Sequence, residues 1–187
     1  LIAEEWMNKQ PKTLPATQPV LLIDSREQRP LSFTGPTQRV TLATGDYSVL
    51  GLEDRVAIER KSLDDLIRCL STDRERFERE LARARGYNYF AVVVEGRWSD
   101  VLDGQYRSAM QPNAVFESIS ALSVRYGVPF LFAESRSIAA RMVESLLLKY
   151  TRECVLTAER INKPARPNTE VEMMPMDGFA VSGSCVN

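Results

Sequence analysis

The chain is 187 residues long, 44% hydrophobic and 26% charged, with a formal net charge of −1, which allows one sizeable core with loose ends and leaves little room for a second full domain. It contains no histidine, so Ser-His-Asp and Cys-His catalysis, H-E-x-x-H metalloproteases and imidazole-ligated zinc hydrolases are excluded, and chemistry must come from carboxylates, lysine and bound metal. Cys69, Cys154 and Cys185 are widely spaced, no apolar run is long enough for a bilayer, and Leu1–Gln10 is not a secretory signal, all of which fits a soluble, intracellular protein in a reducing compartment.

Residues 1–19, with Pro11, Pro15 and Pro19 and little periodicity, read as a leader or linker. Val20–Ile23 predicts a buried strand ending at Asp24, Arg39–Leu42 an alternating second strand before a Gly45-Asp46 turn, and Arg55–Glu59 a third. Ser62 with Asp65 three residues on resembles a capping box, and Leu63, Leu66, Ile67 and Leu70 follow at helical spacing, so a helix begins directly after Lys61. A second helical segment runs from Thr72 to Gly86. Tyr89–Glu95 is apolar on both faces, as in a central strand covered by helices on both sides. After a polar connection over Arg97–Pro112, Asn113 caps a helix that carries Val115, Phe116, Ile119, Leu122 and Tyr126 and ends at Gly127. Pro129–Ala133 predicts another strand, and Ser137–Glu153 a last helix burying Ile138, Met142, Val143, Leu146 and Tyr150. Residues 161–187, with Pro164, Pro167 and Pro175, read as a flexible tail. Strands first and then a βαβα succession give an α/β domain over residues 20–160 with a mixed central sheet.

Three charged clusters interrupt the apolar runs of this domain. In an extended Arg55–Lys61, Glu59 and Lys61 share one face with Ala57, while Ile58 and Arg60 share the other. Asp24 follows four apolar residues at a strand end, where a carboxylate is costly unless it is paired or binds a metal. Asp46, Glu59 and Lys61 suit a metal-assisted phosphodiester hydrolysis, in which carboxylates hold the cation and a lysine positions the nucleophile.

Taken in order, Ile23-Asp24-x-Arg26-Glu27, Gly45-Asp46 and Glu59-Arg60-Lys61-x-x-x-Asp65 resemble the nuclease domain of XPF- and Hef-type structure-selective DNA endonucleases. Arg76-Phe77-x-Arg79-Glu80-Leu81 and Val92-Val93-Val94-Glu95-Gly96 extend the likeness, which covers about Val20–Glu153. It implies a restriction-endonuclease-like fold with helices on both faces of the sheet, and cutting of branched, flapped or fork DNA in repair or recombination with Mg2+ or Mn2+. It also implies a homodimer or heterodimer. Carried over by position, Asp24, Asp46, Glu59 and Glu27 are expected metal ligands, and Lys61 is expected to orient or activate water. Arg26, Arg60 and Asp65 belong to the same motifs, Arg60 pairing with a carboxylate such as Asp65 or buttressing the site. Many members carry a tandem helix-hairpin-helix module after the nuclease domain. Asn162–Asn187 is too short and irregular for one, so a partner chain, a fused domain or a second copy is expected to supply junction selectivity.

Two other functions use the same features: a non-catalytic DNA-binding or nuclease-partner subunit, and a nuclease acting on RNA. The non-catalytic members have lost motif acids, whereas all are present here. Arg76 and Arg79, which bracket Phe77, and Arg107 in the polar connection are the candidate DNA contacts. Acids interleaved with the other arginines of this stretch favour a solvated helix with i,i+4 pairs. Trp98 is expected to pack rather than stack on bases, Phe116 and Tyr150 to lie in the core, and no membrane partner is expected. The expected location is the cytoplasm or nucleoid of a prokaryotic or phage-infected cell, or the nucleus of a eukaryotic one.

Overall fold

The structure, a computed structural model, describes residues 18–163; the expected leader and tail lie outside it apart from their innermost residues. Six strands, β1 (Leu21–Asp24), β2 (Thr37–Val40), β3 (Tyr47–Val49), β4 (Val56–Ser62), β5 (Tyr89–Glu95) and β6 (Phe130–Ala133), form one sheet in the order β2-β1-β3-β4-β5-β6. β3 is antiparallel to β1 and β4, and the other neighbours are parallel, which makes the sheet mixed as expected.

Helices α1 (Leu63–Leu70), α2 (Arg74–Ala84), α3 (Trp98–Leu102), α4 (Pro112–Tyr126) and α5 (Arg136–Ile161) complete the fold. Strand alternation divides the core into two. Ala57, Phe90, Val92 and Val94 pack with α1, α2, α3 and α4, whereas Ile58, Ala91 and Val93 pack with α5. The sheet is therefore covered on both faces, and β5 is interior, next to the edge strand β6.

The differences from the expected elements have local causes. β3 was invisible because it is only Tyr47-Ser48-Val49, yet all three residues are buried and Ser48 Oγ donates to the Val56 carbonyl at 2.6 Å. β2 ends at Val40 instead of Leu42 because the Leu42 N–H is drawn away to Asp24 Oδ2 at 2.7 Å. α4 begins at Pro112 with Gln111 as its cap, since proline needs no N–H partner in the first turn, so Asn113 is not the cap.

The buried stripe of α5 is Ala139, Ala140, Val143, Glu144 and Leu147. Ile138 is exposed, and Met142, Leu146 and Tyr150 are only partly buried, Tyr150 stacked on Tyr89. Val143 is buried as expected, but alanines, Leu147 and one glutamate complete the inner face, so the expected stripe is only partly right. Phe116 is likewise exposed beside Trp98, whose ring packs 4.2 Å from Phe132.

Candidate active site

The charged motifs meet at one end of the sheet, where β1, β4 and β5 finish and β3 begins. Backbone hydrogen bonds align them: Asp24 N–H donates to Asp46 O at 2.8 Å, and Asp46 N–H to Ile58 O at 2.9 Å. Gly45 makes this possible. Its φ is +76°, and a Cβ there would sit 3.0 Å from Ala57 Cβ and 3.2 Å from Ile58 O, so only glycine lets the chain cross β4 and deliver Asp46.

A cleft of about 470 Å³ opens here, lined by Asp24, Arg26, Glu27, Asp46, Glu59, Arg60, Lys61, Asp65 and Arg76, together with Gln28, Arg29, Thr44, Glu80 and Arg83. All eight residues expected to be catalytic are therefore gathered. Of the expected DNA contacts, Arg76 lines the cleft with its side chain 74% exposed. Arg79 lies off it, 3.8 Å from Glu75. Arg107 is 93% exposed, and its backbone N–H is tied to Asp64 Oδ1 at 2.9 Å. Sequence reasoning gives Glu80 no role beyond its motif and leaves Arg83 on a solvated helix, yet both line the cleft. The signal was present, because positions 76, 80 and 83 share one helix face at i, i+4 and i+7.

Asp24 is buried and saturated. Oδ1 accepts from Arg26 N and Nε, both at 2.8 Å, and Oδ2 from Arg26 Nη2 at 2.9 Å and Leu42 N. Burial opposes its charge, but the Arg26 guanidinium and the two N–H groups prevail and hold its carboxyl below the ordinary value. Glu27 accepts from Arg29 N–H at 2.6 Å and faces Arg60 Nη1 at 3.9 Å.

Asp46 and Glu59 behave in the opposite way. Asp46 accepts one hydrogen bond, from Arg60 N at 2.8 Å, and burial, with Glu27 and Glu80 nearby, pushes its carboxyl up to about 6. Glu59 is buried, and burial together with Asp46 and Glu80 drives its carboxyl well above the usual range against the pull of Lys61. Two buried carboxyls that resist ionisation make a site short of positive charge.

Lys61 shares the Glu59 face, as alternation predicts, with Nζ 2.5 Å from Glu59 Oε1. Burial works against its charge, but Glu59 and Glu80 outweigh it and raise the ammonium above the ordinary lysine value. Arg60 projects to the opposite face, where Nε pairs with Glu95 Oε1 at 2.7 Å, and Arg136 of α5 reaches the same oxygen at 3.2 Å. Its partner is thus Glu95 rather than Asp65, which instead binds Ser62 Oγ at 2.7 Å and Arg68 at 2.7 Å in the first turn of α1.

The donor set suits Mg2+ or Mn2+, hard cations that need one or two carboxylates and otherwise take water and phosphate oxygens. Asp46 and Glu59 fit that role. Asp24 does not as arranged, since Arg26 and Leu42 occupy both its oxygens. Among the described residues no three Asp, Glu, Cys or His side chains are already gathered to hold a metal.

Residues 23–146 match the family model of the ERCC4 domain. No curated protein matches the chain. Among solved structures it is similar to XPF from Aeropyrum pernix, with 26% identity and a TM-score of 0.61 over 81% of this chain and 69% of that one. It is also similar to XPF from Aeropyrum pernix in complex with DNA, with 26% identity and a TM-score of 0.58 over 73% and 66%. The chain spans about two-thirds of the length of those solved chains. Because the family match takes in every motif from Asp24 to Glu95 and all but the first two residues of the sheet, the chain belongs to the ERCC4 domain family and holds an XPF-type nuclease domain.

Proposed function

We propose that the protein is a divalent-metal-dependent endonuclease that cuts branched, flapped or fork DNA in repair or recombination, in the cellular compartment that holds the DNA. The observation that carries this reading is Asp46, Glu59 and Lys61 set side by side at one end of the sheet, with both carboxyls raised by burial. Asp46 and Glu59 would hold Mg2+ or Mn2+, which when bound lowers the pKa of water and offsets charge on the scissile phosphate.

Lys61, whose ammonium Glu59 and Glu80 favour over burial, acts as a cation that orients the attacking water or a phosphate oxygen. Asp24 and Arg26 brace the loop after β1, and Arg60 and Glu95 hold β4 against β5. Arg76 and Arg83, on the cleft rim, meet the DNA backbone. A second copy or another subunit completes junction recognition.

The test is cleavage of labelled 3′-flap and fork DNA against linear duplex and single-stranded RNA, with Mg2+, Mn2+ or EDTA, for the wild type and Asp46→Asn, with light scattering on the same samples. Metal-dependent cutting near the junction, lost by at least 100-fold in the variant, and a dimeric mass are expected. Fork binding without cutting would make the chain a non-catalytic partner, preference for RNA would overturn the substrate, and a strict monomer would remove the assembly.

A further inference from the structure

Glu80 brings to the cleft a carboxylate that none of the strand motifs supplies. It comes from α2, whose preceding turn carries Phe77. Glu80 Oε2 lies 3.9 Å from Lys61 Nζ, Glu59 Oε1 lies 2.5 Å from the same nitrogen, and the Phe77 ring face is 5.0 Å away. The ammonium thus sits between two carboxylates and an aromatic face with 11% of the side chain exposed, bonded to one acid and adjacent to the other.

This arrangement sets two duties against each other at Glu59: Oε1 accepts from Lys61, and a cation drawn to the same carboxylate competes for its charge and repels the ammonium beside it. A buried lysine whose counter-charge is shared with a cation needs another acceptor to stay in the cleft. A second acceptor resolves the conflict.

We propose that Glu80 is a positioning residue for Lys61: when a divalent cation takes Glu59, Glu80 becomes the acceptor for Lys61 Nζ and holds it beside Phe77 in the cleft. This rests on the metal-nuclease reading above.

Mn2+ affinity measured by calorimetry on the full chain tests it, using Glu80→Ala and Glu80→Gln, each with Lys61 and with Lys61→Met, alongside fork cleavage by the wild type. With Lys61 present, Glu80→Ala weakens Mn2+ binding by about tenfold or more, because the cation must break a charge-assisted hydrogen bond for which there is no second acceptor. Glu80→Gln, whose amide oxygen still accepts from Lys61, recovers much of that loss. In the Lys61→Met background the effect of Glu80→Ala is several-fold smaller. Unchanged affinity in Glu80→Ala would overturn the inference. So would an equal loss in both backgrounds with Gln as poor as Ala, which would make Glu80 a ligand itself. If the wild type cuts DNA with Mn2+ and either of these results appears, the nuclease reading stands and this inference falls; a wild type that neither binds Mn2+ nor cuts removes both.

Discussion

Asp24 ends β1 and Asp46 directly precedes the neighbouring β3, and a backbone hydrogen bond joins them, yet their surroundings push them in opposite directions. Asp24 is lowered, so it contributes stability above its unfolded pKa that is lost as pH falls through its folded value. Asp46 is raised to about 6 from 3.8. Between those values the folded state binds more protons than the unfolded one, so stability falls as pH rises toward 6 and the penalty is complete above it. Glu59 is also raised, by burial and by Asp46 and Glu80, and adds a loss of the same sign. For Asp46 the shift corresponds to roughly 2–3 kcal/mol at neutral pH. Thermal melts of metal-free protein should therefore show greater stability near pH 5 than at pH 7.5. Asp46→Asn, which keeps an acceptor for Arg60 N–H, should raise the melting temperature at pH 7.5 by several degrees while abolishing cleavage. Asp24→Ala should lower it at both pH values by about 1–3 kcal/mol of stability, because two backbone N–H groups lose their acceptor. A melt that stays flat with pH, or a less stable Asp46→Asn, would assign Asp46 a structural role instead.

At the scale of elements, the cleft is held by the segment between β1 and β2 and by the helix beneath it. Glu144 of α5 is buried and accepts from Thr34 N at 3.0 Å, Thr34 Oγ1 at 2.7 Å and Gly35 N at 3.0 Å. Arg136 donates to the carbonyls of Arg29 and Pro30, and the Tyr47 hydroxyl accepts from Leu31 N at 3.0 Å. This clamp fixes the residues that carry Arg26 and Glu27. Glu144→Ala should cost about 2–4 kcal/mol, since it leaves three donors without their acceptor. It should also raise amide exchange across residues 25–36 and reduce cleavage without touching the cleft. Loss of stability with unchanged exchange in that segment would make Glu144 a packing residue only. None of this clamp was legible in the sequence, because a glutamate at an inner helix position reads as surface until its partners more than 100 residues away are known. The motifs themselves were legible through the family resemblance they carry, supported by Asp24 at the end of an apolar run and by alternation placing Glu59 and Lys61 on one strand face. β3 was not, because three residues show no period. Arg60 pairs with a carboxylate and buttresses the site as expected, but which carboxylate was not legible, because Asp65 is near in sequence whereas Glu95 is near only once β5 lies beside β4.

For the whole molecule, charge determines how DNA is held. A net charge of −1 gives no long-range attraction for a polyanion, and the cleft centre is acidic. In the proposed nuclease, phosphate binding would therefore come from the arginines of the rim, Arg26, Arg29, Arg76 and Arg83, and from a divalent cation held by Asp46 and Glu59. Arg26 is pledged in part to Asp24 and Arg83 Nε lies 3.4 Å from Thr44 Oγ1, whereas Arg76, 74% exposed, faces only Asp73, at 3.6 Å, and is more open than Arg26. About three to four neutralised phosphates per protomer predict a slope of log affinity against log salt near −3, far shallower than that of a dedicated basic DNA binder. Anisotropy titrations of fork DNA with Ca2+, over a range of KCl concentrations, measure it. Removing Arg76 and Arg83 together should flatten the slope by about 2 and weaken binding equally for fork and duplex, since phosphate contacts carry no sequence information. Removing Arg79 and Arg107 should leave the slope unchanged, because Arg79 lies off the cleft and Arg107 is turned toward Asp64. A slope that responds to Arg79 and Arg107 but not to Arg76 and Arg83 would move the DNA path off the mouth of the cleft and onto the outer surface of α2.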